Sequence, residues 1–401
     1  MRFARFVELL EPFAGRVAGS EAERWCQETL AATCRAAGAD AQVQGFVDWL
    51  RPGQFVAVHG FSILLALLLA RFWPSGSLLL ALVLLASAWA EANSRSWVRW
   101  GFLKGISSNM VARFTRVHAR TQVVVIAQAD VPRVAPVPNA VRIRFGGRDR
   151  TSSIHASLLP ILLTFVLVGV MVAENLGLSG LPLHILIWCV AVSAGLQFFL
   201  GIAWDRGGAA GGSNANGSGL AVLAGIAESF DPETHPHIEL WLVASGASVP
   251  GCCGTRAFLR RYRHRLHADR TFIIELREVG RGTLAVVRGD IIAKRWAFDA
   301  EIVGHAAHLG QHDSRFHGVA LIDLLGRTDA GEATRAGYAA IGITALVGGE
   351  RDPQCGTTDD IADHLDPRTM MQAHEFVEEL LEVLEDAGSA GLHAKVRAGN
   401  E

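Results

Sequence analysis

The sequence has little of what marks several common classes of protein. Its six cysteines contain no C-x-x-C pair, Cys252 and Cys253 are adjacent, and Cys189 lies in an apolar run, so reduced thiols are expected rather than a disulfide framework. The formal net charge is only -2, which gives no reason to expect nucleic acid as a partner. Charged side chains such as Arg2 and Glu8 interrupt the apolar positions of the first residues, which is not the pattern of a signal peptide.

The sequence is rich in apolar residues and poor in charged ones. Hydrophobic residues make up 50% of the 401, charged residues only 19%, and the mean hydropathy is +0.27. An ordinary soluble protein is less apolar than this, although the length alone would allow two domains. Part of the chain is therefore expected to lie in a membrane.

Four apolar segments are the candidate membrane spans, in two pairs joined by short turns at Pro74–Gly76 and Glu174–Gly180. They are Phe55–Trp73, Ser77–Ala92, Ile154–Ala173 and Leu181–Trp204. Crossing a bilayer core takes about 20 residues, so we predict two transmembrane hairpins over 55–92 and 154–204. For the first hairpin, a buried core hairpin and two helices tilted at the interface are alternatives.

The loops between these segments predict an orientation. An even number of crossings places 1–54, 93–153 and 205–401 on one side. The 93–153 loop is rich in arginine and the two short turns are not, so the positive-inside rule places this side in the cytoplasm.

A basic run, Val141–Arg150, precedes the third span. We expect it to contact anionic headgroups of membrane lipids, with a dedicated ligand site as the alternative. The expected lipid contacts are Arg142, Arg144, Arg148 and Arg150.

Outside the spans the chain follows an α/β pattern. A glycine-rich loop, Gly211–Gly219, leads into the helical period of Leu220–Phe230, and the apolar run Ile238–Val243 is short enough for a buried parallel strand. Further strands are predicted at Thr121–Ala127 and Ile341–Val347, and an amphipathic helix at Pro367–Ala387.

These segments resemble the M28 family of zinc aminopeptidases. Gly212, Asn216, Ser218 and Gly219 fit the G-A-x-D-N-x-S-G motif before the helix, and Gly15–Ser20 fits an opening G-R-x-x-G-S. Further matches are Gly251, Gly254, Thr255 and Phe258 after the strand and Gly356–Pro367 near the end. The resemblance implies a phosphorylase/hydrolase-like α/β/α sandwich with a mixed, mostly parallel central sheet. Its parts would be 1–54, 93–153 and 205–388, interrupted by the two hairpins and followed by a polar tail, 389–401.

The reactive residues of that family are missing from the matching positions. Ala215 replaces the metal-bridging Asp, Ala247 the general-base Glu and Ser248 the next metal ligand, while Gln128, Arg277 and Gly356 stand at further ligand positions. Only Asp130 remains, the carboxylate that in the family orients a ligand His. A two-zinc peptidase needs those ligands and that base. The resemblance therefore implies a membrane-anchored pseudopeptidase without catalytic residues, metal or cofactor, acting as a binding or scaffold subunit for a protein partner, with homo-oligomerisation left open.

Other residues allow two alternative functions, and one side chain of the cleft needs a partner. An enzyme of altered chemistry could use Cys355 as nucleophile or Asp130 as base. A zinc site could instead lie in the histidine-rich stretch, which contains His305, His308, His312, Asp313 and His317. In the cleft, a buried guanidinium needs a partner, so we expect Arg277 to pair with Asp130, directly or through one water.

Overall fold

The computed structural model describes residues 15–93, 97, 101–116, 118–134, 151–291, 294–316 and 318–390, without the side chains of 151–159 and 387–390. The predicted lipid contacts Arg142, Arg144, Arg148 and Arg150, and also His317, lie outside the described residues.

The described strands form one nine-stranded mixed sheet. In chain order they are β1 Asp40–Asp48, β2 Gly105–Phe114, β3 Thr121–Gln128, β4 Ile238–Ser245, β5 Thr271–Leu276, β6 Thr283–Ile291, β7 Arg295–Ala297, β8 Ala320–Leu325 and β9 Ala339–Leu346. The spatial order is β1-β2-β4-β3-β5-β9-β6-β7, with β8 paired to β6. The central strands β4, β3, β5 and β9 run parallel, whereas β1 and β2 on one side and β6 on the other add antiparallel pairings.

Helices cover both faces of this sheet. They are α1 Glu21–Ala36, α2 Pro52–Leu69, α3 Pro74–Ala92, α4 Thr151–Asn175, α5 Leu181–Arg206, α6 Ser218–Ser229, α7 Cys253–Tyr262, α8 Ala300–His312, α9 Asp329–Arg335 and α10 Pro367–Ala390. Every residue of β3 and β4 is buried, as parallel strands require. Side chains of α1, α6, α8 and α10 form the core on one face, and those of α7 and α9 form it on the other. The predicted α/β class with a central parallel sheet is confirmed.

The basic stretch Arg256–Arg270 carries apolar residues at helical spacing, but only its first part is helical. The helix α7 ends at Tyr262, whose carbonyl accepts the backbone N–H of Arg265 and of Leu266 in a turn. Leu266 is buried by that turn, so packing of one apolar side chain ends the helix where the charge pattern would continue it.

The apolar segments form four helices that pack together. By length and composition α2, α3 and α5 are able to cross a membrane, and the part of α4 whose side chains are described, Pro160–Asn175, is a shorter apolar helix. This supports three of the four predicted spans. Large apolar side chains on the outside of the helices, such as Phe61, Leu79 and Trp188, are exposed.

One polar contact joins two helices of this bundle at its base, and another joins the bundle to the α/β domain. The backbone N–H of Gly53, in the first turn of α2, donates to the Asp205 carboxylate near the end of α5 (2.9 Å). Arg327, which follows β8, pairs with Glu91 near the end of α3 (3.2 Å). The bundle therefore stands on the edge of the domain where the functional candidates lie.

Candidate functional site

A cavity of about 370 Å³ lies between the α/β domain and the base of the helical bundle. Its domain side is formed by residues that follow β3, β4 and β5, the carboxyl edge of the parallel strands, where α/β folds bind ligands. Its other side comes from α2, α3 and α5. We call this cavity the cleft.

The residues at the degenerate family positions converge on the cleft. Six of them line it: Gln128, Asp130, Ala215, Ser248, Arg277 and Gly356. Ala247 lies directly behind, fully buried, with φ +47°. Glu278, which also lines the cleft, has φ +55°. Positive φ is uncommon outside glycine and is often found at functional sites, so the backbone here is held by its surroundings.

The motif residues that are present hold the loops around the cleft. Arg16 donates to the side-chain oxygen of Asn216 (2.8 Å) and to the carbonyl oxygen of Ala129 (3.3 Å). The Asp360 carboxylate accepts the N–H groups of Asn214 (2.6 Å) and Ala215 (3.0 Å). These side chains bind backbone or other loop residues, which is why the loops keep their shape without a metal between them.

The Asp130 carboxylate also binds backbone. Its two oxygens accept the N–H of Ser248 (2.7 Å) and the N–H of Val249 (3.0 Å). Burial raises the pKa of Asp130 well above its usual value, and the nearby Glu23 adds to this effect. Asp130 therefore fixes the loop after β4 to the end of β3.

Arg277 pairs directly with Glu278, so the expectation of a direct Arg277–Asp130 pair is wrong. Arg277 Nε lies 3.2 Å from Glu278 Oε1, and Nη1 donates to the carbonyl oxygen of Arg327 (3.2 Å). The reason is that Asp130 is already bonded to two backbone amides, whereas Glu278 is adjacent to Arg277 and faces the same cleft.

Arg351 shares the Glu278 carboxylate with Arg277. Arg351 Nε donates to Glu278 Oε2 (2.7 Å), and Nη2 donates to Oε1. Burial alone would raise the pKa of Glu278, but the charges of Arg351 and Arg277 outweigh burial and lower it. The Glu278 carboxylate thus faces two guanidinium groups, and Arg277 Nη1 also lies 4.0 Å from the Glu275 carboxylate.

The cleft does not fit zinc. Zinc prefers Cys, His, Asp and Glu ligands, and no group of three such side chains able to hold a metal occurs among the described residues. Of the carboxylates that line the cleft, Asp130 is bonded to backbone amides, and Glu278 and Glu91 are paired with guanidinium groups.

The histidine-rich stretch does not supply a described metal site either. His308 and His312 stack on α8 with ring centroids 4.0 Å apart, and both are exposed. His312 Nδ1 lies 3.1 Å from the carbonyl oxygen of His308 in the same helix. The two rings are neighbours on the surface of one helix, and within the described residues no third ligand joins them.

Cys355 lines the cleft, but its surroundings oppose a thiolate. Burial raises the pKa of Cys355 strongly, and the charges of Glu278 and Asp360 raise it further against the opposing effect of Arg351. A nucleophilic cysteine needs a lowered pKa. The altered-chemistry alternative that uses Cys355 therefore finds no support in the geometry.

Sequence patterns did not identify several residues that line the cleft. Arg327 and Arg351 lie in loops that the motifs do not include, Glu278 stands next to a motif position without being singled out, and Phe55 and Trp204 belong to predicted spans. The one available signal was the adjacent opposite charges of Arg277 and Glu278.

Two buried acids near the cleft predict an unusual dependence of stability on pH. Burial raises the pKa of Glu23 and of Glu275 from 4.5 to about 7. A raised pKa in the folded state contributes stability that is complete below pH 4.5 and is lost as the pH rises towards 7. We expect each group to lower the free energy of unfolding by about 1.4 kcal/mol per pH unit in this window. Thermal unfolding measured from pH 4.5 to 7.5 should show the fall, with a smaller slope in Glu23→Gln; an unchanged slope would contradict the assignment to Glu23.

Comparison with known proteins places the fold. No protein-family model and no curated protein matches the chain. Among solved structures it is similar to a zinc aminopeptidase from Bacillus subtilis (TM-score 0.53, 13% identity, 96% of this chain and 94% of that one). It is likewise similar to a glutaminyl cyclase from Porphyromonas gingivalis (TM-score 0.52, 14% identity, 95% of this chain and 96% of that one). A zinc-dependent exopeptidase from Parabacteroides distasonis is also similar (TM-score 0.51, 13% identity, 96% of this chain and 97% of that one). The chain therefore has the M28-type fold shared by zinc aminopeptidases and glutaminyl cyclases.

Proposed function

We propose that this chain is a membrane-anchored, non-catalytic protein of the M28-type fold that binds a ligand or partner where related folds hold zinc. One observation supports this above all: Ala215, Ser248, Arg277 and Gly356 surround the cleft at positions where the resemblance expects metal ligands. A guanidinium group in this place repels a cation, and the described residues include no group of side chains able to hold a metal ion.

The proposal is tested by metal content and turnover. The purified chain should contain far less than one zinc per molecule after incubation with zinc. It should hydrolyse no aminoacyl substrate and cyclise no N-terminal glutamine, with the Bacillus subtilis aminopeptidase as positive control for hydrolysis. Arg277→Asp alone should not restore metal binding, because its neighbouring positions still lack ligands. Stoichiometric zinc or turnover in the unaltered chain would overturn the proposal.

The proposal includes four spans with the α/β domain in the cytoplasm. The even number of helices in the bundle and the arginine-rich 93–153 region support this topology. Reporter fusions after residue 401 and within Glu174–Gly180 are expected to lie on opposite sides, the first in the cytoplasm. A non-cytoplasmic reporter at 401 would reverse the orientation.

A protein partner remains part of the proposal. The domain surface and the exposed faces of the bundle are the candidates for its contact, as in a subunit of a membrane complex. Purification in mild detergent, followed by identification of stoichiometric co-purifying chains, is the measurement. Recovery of the chain alone at full yield from its native membrane would argue against an obligate partner.

A further inference from the structure

The cleft has an apolar wall made by the base of the helical bundle. Phe55 and Val56 come from the first turns of α2, Ala88 and Ala92 from the end of α3, and Trp204 from the end of α5. Each of these three helices is able to span a membrane, so these ends would lie at the membrane surface. A ligand entering between the domain and the bundle therefore enters at the depth of lipid headgroups.

On the domain side of the cleft, two guanidinium groups have hydrogen-bond donors that are available to a ligand. Within the described residues, Arg277 Nη2 and Arg351 Nη1 have no hydrogen-bond partner, and the two side chains are 19% and 37% exposed. Both line the cleft. Glu278 is bonded to both guanidinium groups and Glu275 lies 4.0 Å from Arg277, while the remaining planar donors of the two arginines match the oxygens of a phosphate.

We propose that the cleft binds an anionic phospholipid, with the phosphate at Arg277 and Arg351 and the start of the acyl chains along Phe55, Ala92 and Trp204. This inference rests on the proposed non-catalytic function, because it places an anion where the related enzymes hold a cation. A volume of about 370 Å³ lies within the range of small-ligand sites and accommodates a headgroup and its glycerol, while the chains extend towards the bilayer.

Two features favour a lipid over other anions. Free phosphate would use the arginines but not the apolar wall, and a peptide carboxylate in water would have to reach a cleft covered by the bundle. A lipid uses both ends of the cleft and is already present at the entrance. The salt bridge of Arg327 with Glu91 lies beside this entrance and joins the bundle to the domain. Arg277 and Arg351 are therefore left to bind the anion.

The test uses a short-chain lipid with the full-length chain in a neutral detergent. Dihexanoyl phosphatidic acid is titrated while thermal unfolding is followed, with glycerol phosphate, inorganic phosphate, dihexanoyl phosphatidylcholine and a short peptide with a free carboxyl terminus as comparison ligands. A specific ligand raises the unfolding temperature in a saturable way. We expect saturation by phosphatidic acid at a concentration at least about tenfold lower than by any comparison ligand.

Variants locate the effect. Arg277→Gln and Arg351→Gln should each weaken phosphatidic acid binding about tenfold or more, since each removes a charge-assisted hydrogen bond. Arg351→Lys keeps the charge and serves as the conservative variant if Arg351→Gln fails to fold; it should bind more weakly than the parent because it loses the planar donors. Arg206→Gln is the matched control, because Arg206 is exposed at the end of α5 and does not line the cleft. It should bind like the parent.

The outcomes separate this inference from the proposed function. Equal affinity for inorganic phosphate, tighter binding of the peptide, no saturable binding, or an equal loss in Arg206→Gln would each overturn the lipid site. Zinc is measured in the same preparation: a zinc-free protein that binds no lipid overturns only the lipid site, whereas stoichiometric zinc overturns the non-catalytic function.

Discussion

Replacement of Glu278 by Gln should lower the unfolding temperature of the protein by about 5 °C. The carboxylate is 3% exposed and bonds to both Arg277 and Arg351. Removing one partner of a buried ion pair costs about 3–5 kcal/mol, because the remaining charge keeps its desolvation penalty. Here two guanidinium groups lose their shared partner at once. At about 1–2 °C per kcal/mol for a chain of this size, the cost predicts the stated shift.

The design of this substitution isolates charge from shape. Gln has the same length as Glu, so the backbone at φ +55° carries the same constraint in both proteins. Glu28→Gln is the matched control: its salt bridge with Arg24 is exposed, and such pairs contribute about 0–1 kcal/mol. The double variant Glu278→Gln with Arg351→Met should recover part of the loss, because it removes one uncompensated cation. A Glu278→Gln protein that melts like the parent would contradict the role of Glu278.

The sequence predicted the centre of the sheet well, because burial there leaves one strong signal. Thr121–Gln128 and Ile238–Ser245 are buried over their whole length, and their apolar runs end within two residues of the predicted bounds. Strands away from the centre of the sheet are harder to predict from the sequence. The strand Asp40–Asp48 alternates polar and apolar residues and is stabilised by pairing with β2, which sequence alone does not show. Arg288 and Asp290 interrupt the apolar run of β6, whose pairing with β8 and β9 sets its length.

In the candidate site, residues that belong to motifs were predictable from the sequence, whereas contacts between separate loops were not. Gln128 ends β3, Ala215 lies in the glycine-rich loop and Ser248 follows β4. The positions of these residues in the motifs therefore predicted their place at the cleft. The partner of Arg277 depends on Arg351, which lies 74 positions later in a loop without a motif. Distances between loops follow from the whole fold, and local patterns do not contain them.

The apolar helices show another contact that periodicity cannot reveal. The glycines Gly53, Gly60 and Gly201 allow the backbones of α2 and α5 to touch, as small residues do in membrane helix pairs. Buried polar groups lie beside them: Gln197 Nε2 is 3.2 Å from His59 Nδ1, and Thr164 Oγ1 is 3.1 Å from His59 Nε2. The glycines set the distance between the helices, and the polar groups then fix their register.

Gly201→Leu should therefore disrupt the bundle. A Cβ atom at residue 201 would lie 2.5 Å from the Ala57 nitrogen and 2.6 Å from the Gly53 oxygen, both backbone atoms that cannot move aside alone. The two helices would have to separate, which breaks the bond from Gly53 to Asp205 and the contact of Gln197 with His59. We expect a loss of several kcal/mol, seen as an unfolding temperature lower by about 5 °C or more or as failure to accumulate in the membrane.

Gly195→Leu provides the matched control on the same helix. A Cβ atom at residue 195 would meet nothing within 4 Å, so leucine there replaces glycine without a clash and improves the intrinsic helix propensity of α5. This variant should keep or slightly raise the unfolding temperature. Because both substitutions add the same side chain to one helix, a difference between them measures the contact with α2 and not the change in hydrophobicity. Equal unfolding temperatures for Gly201→Leu and Gly195→Leu would show that α2 and α5 do not pack through these glycines.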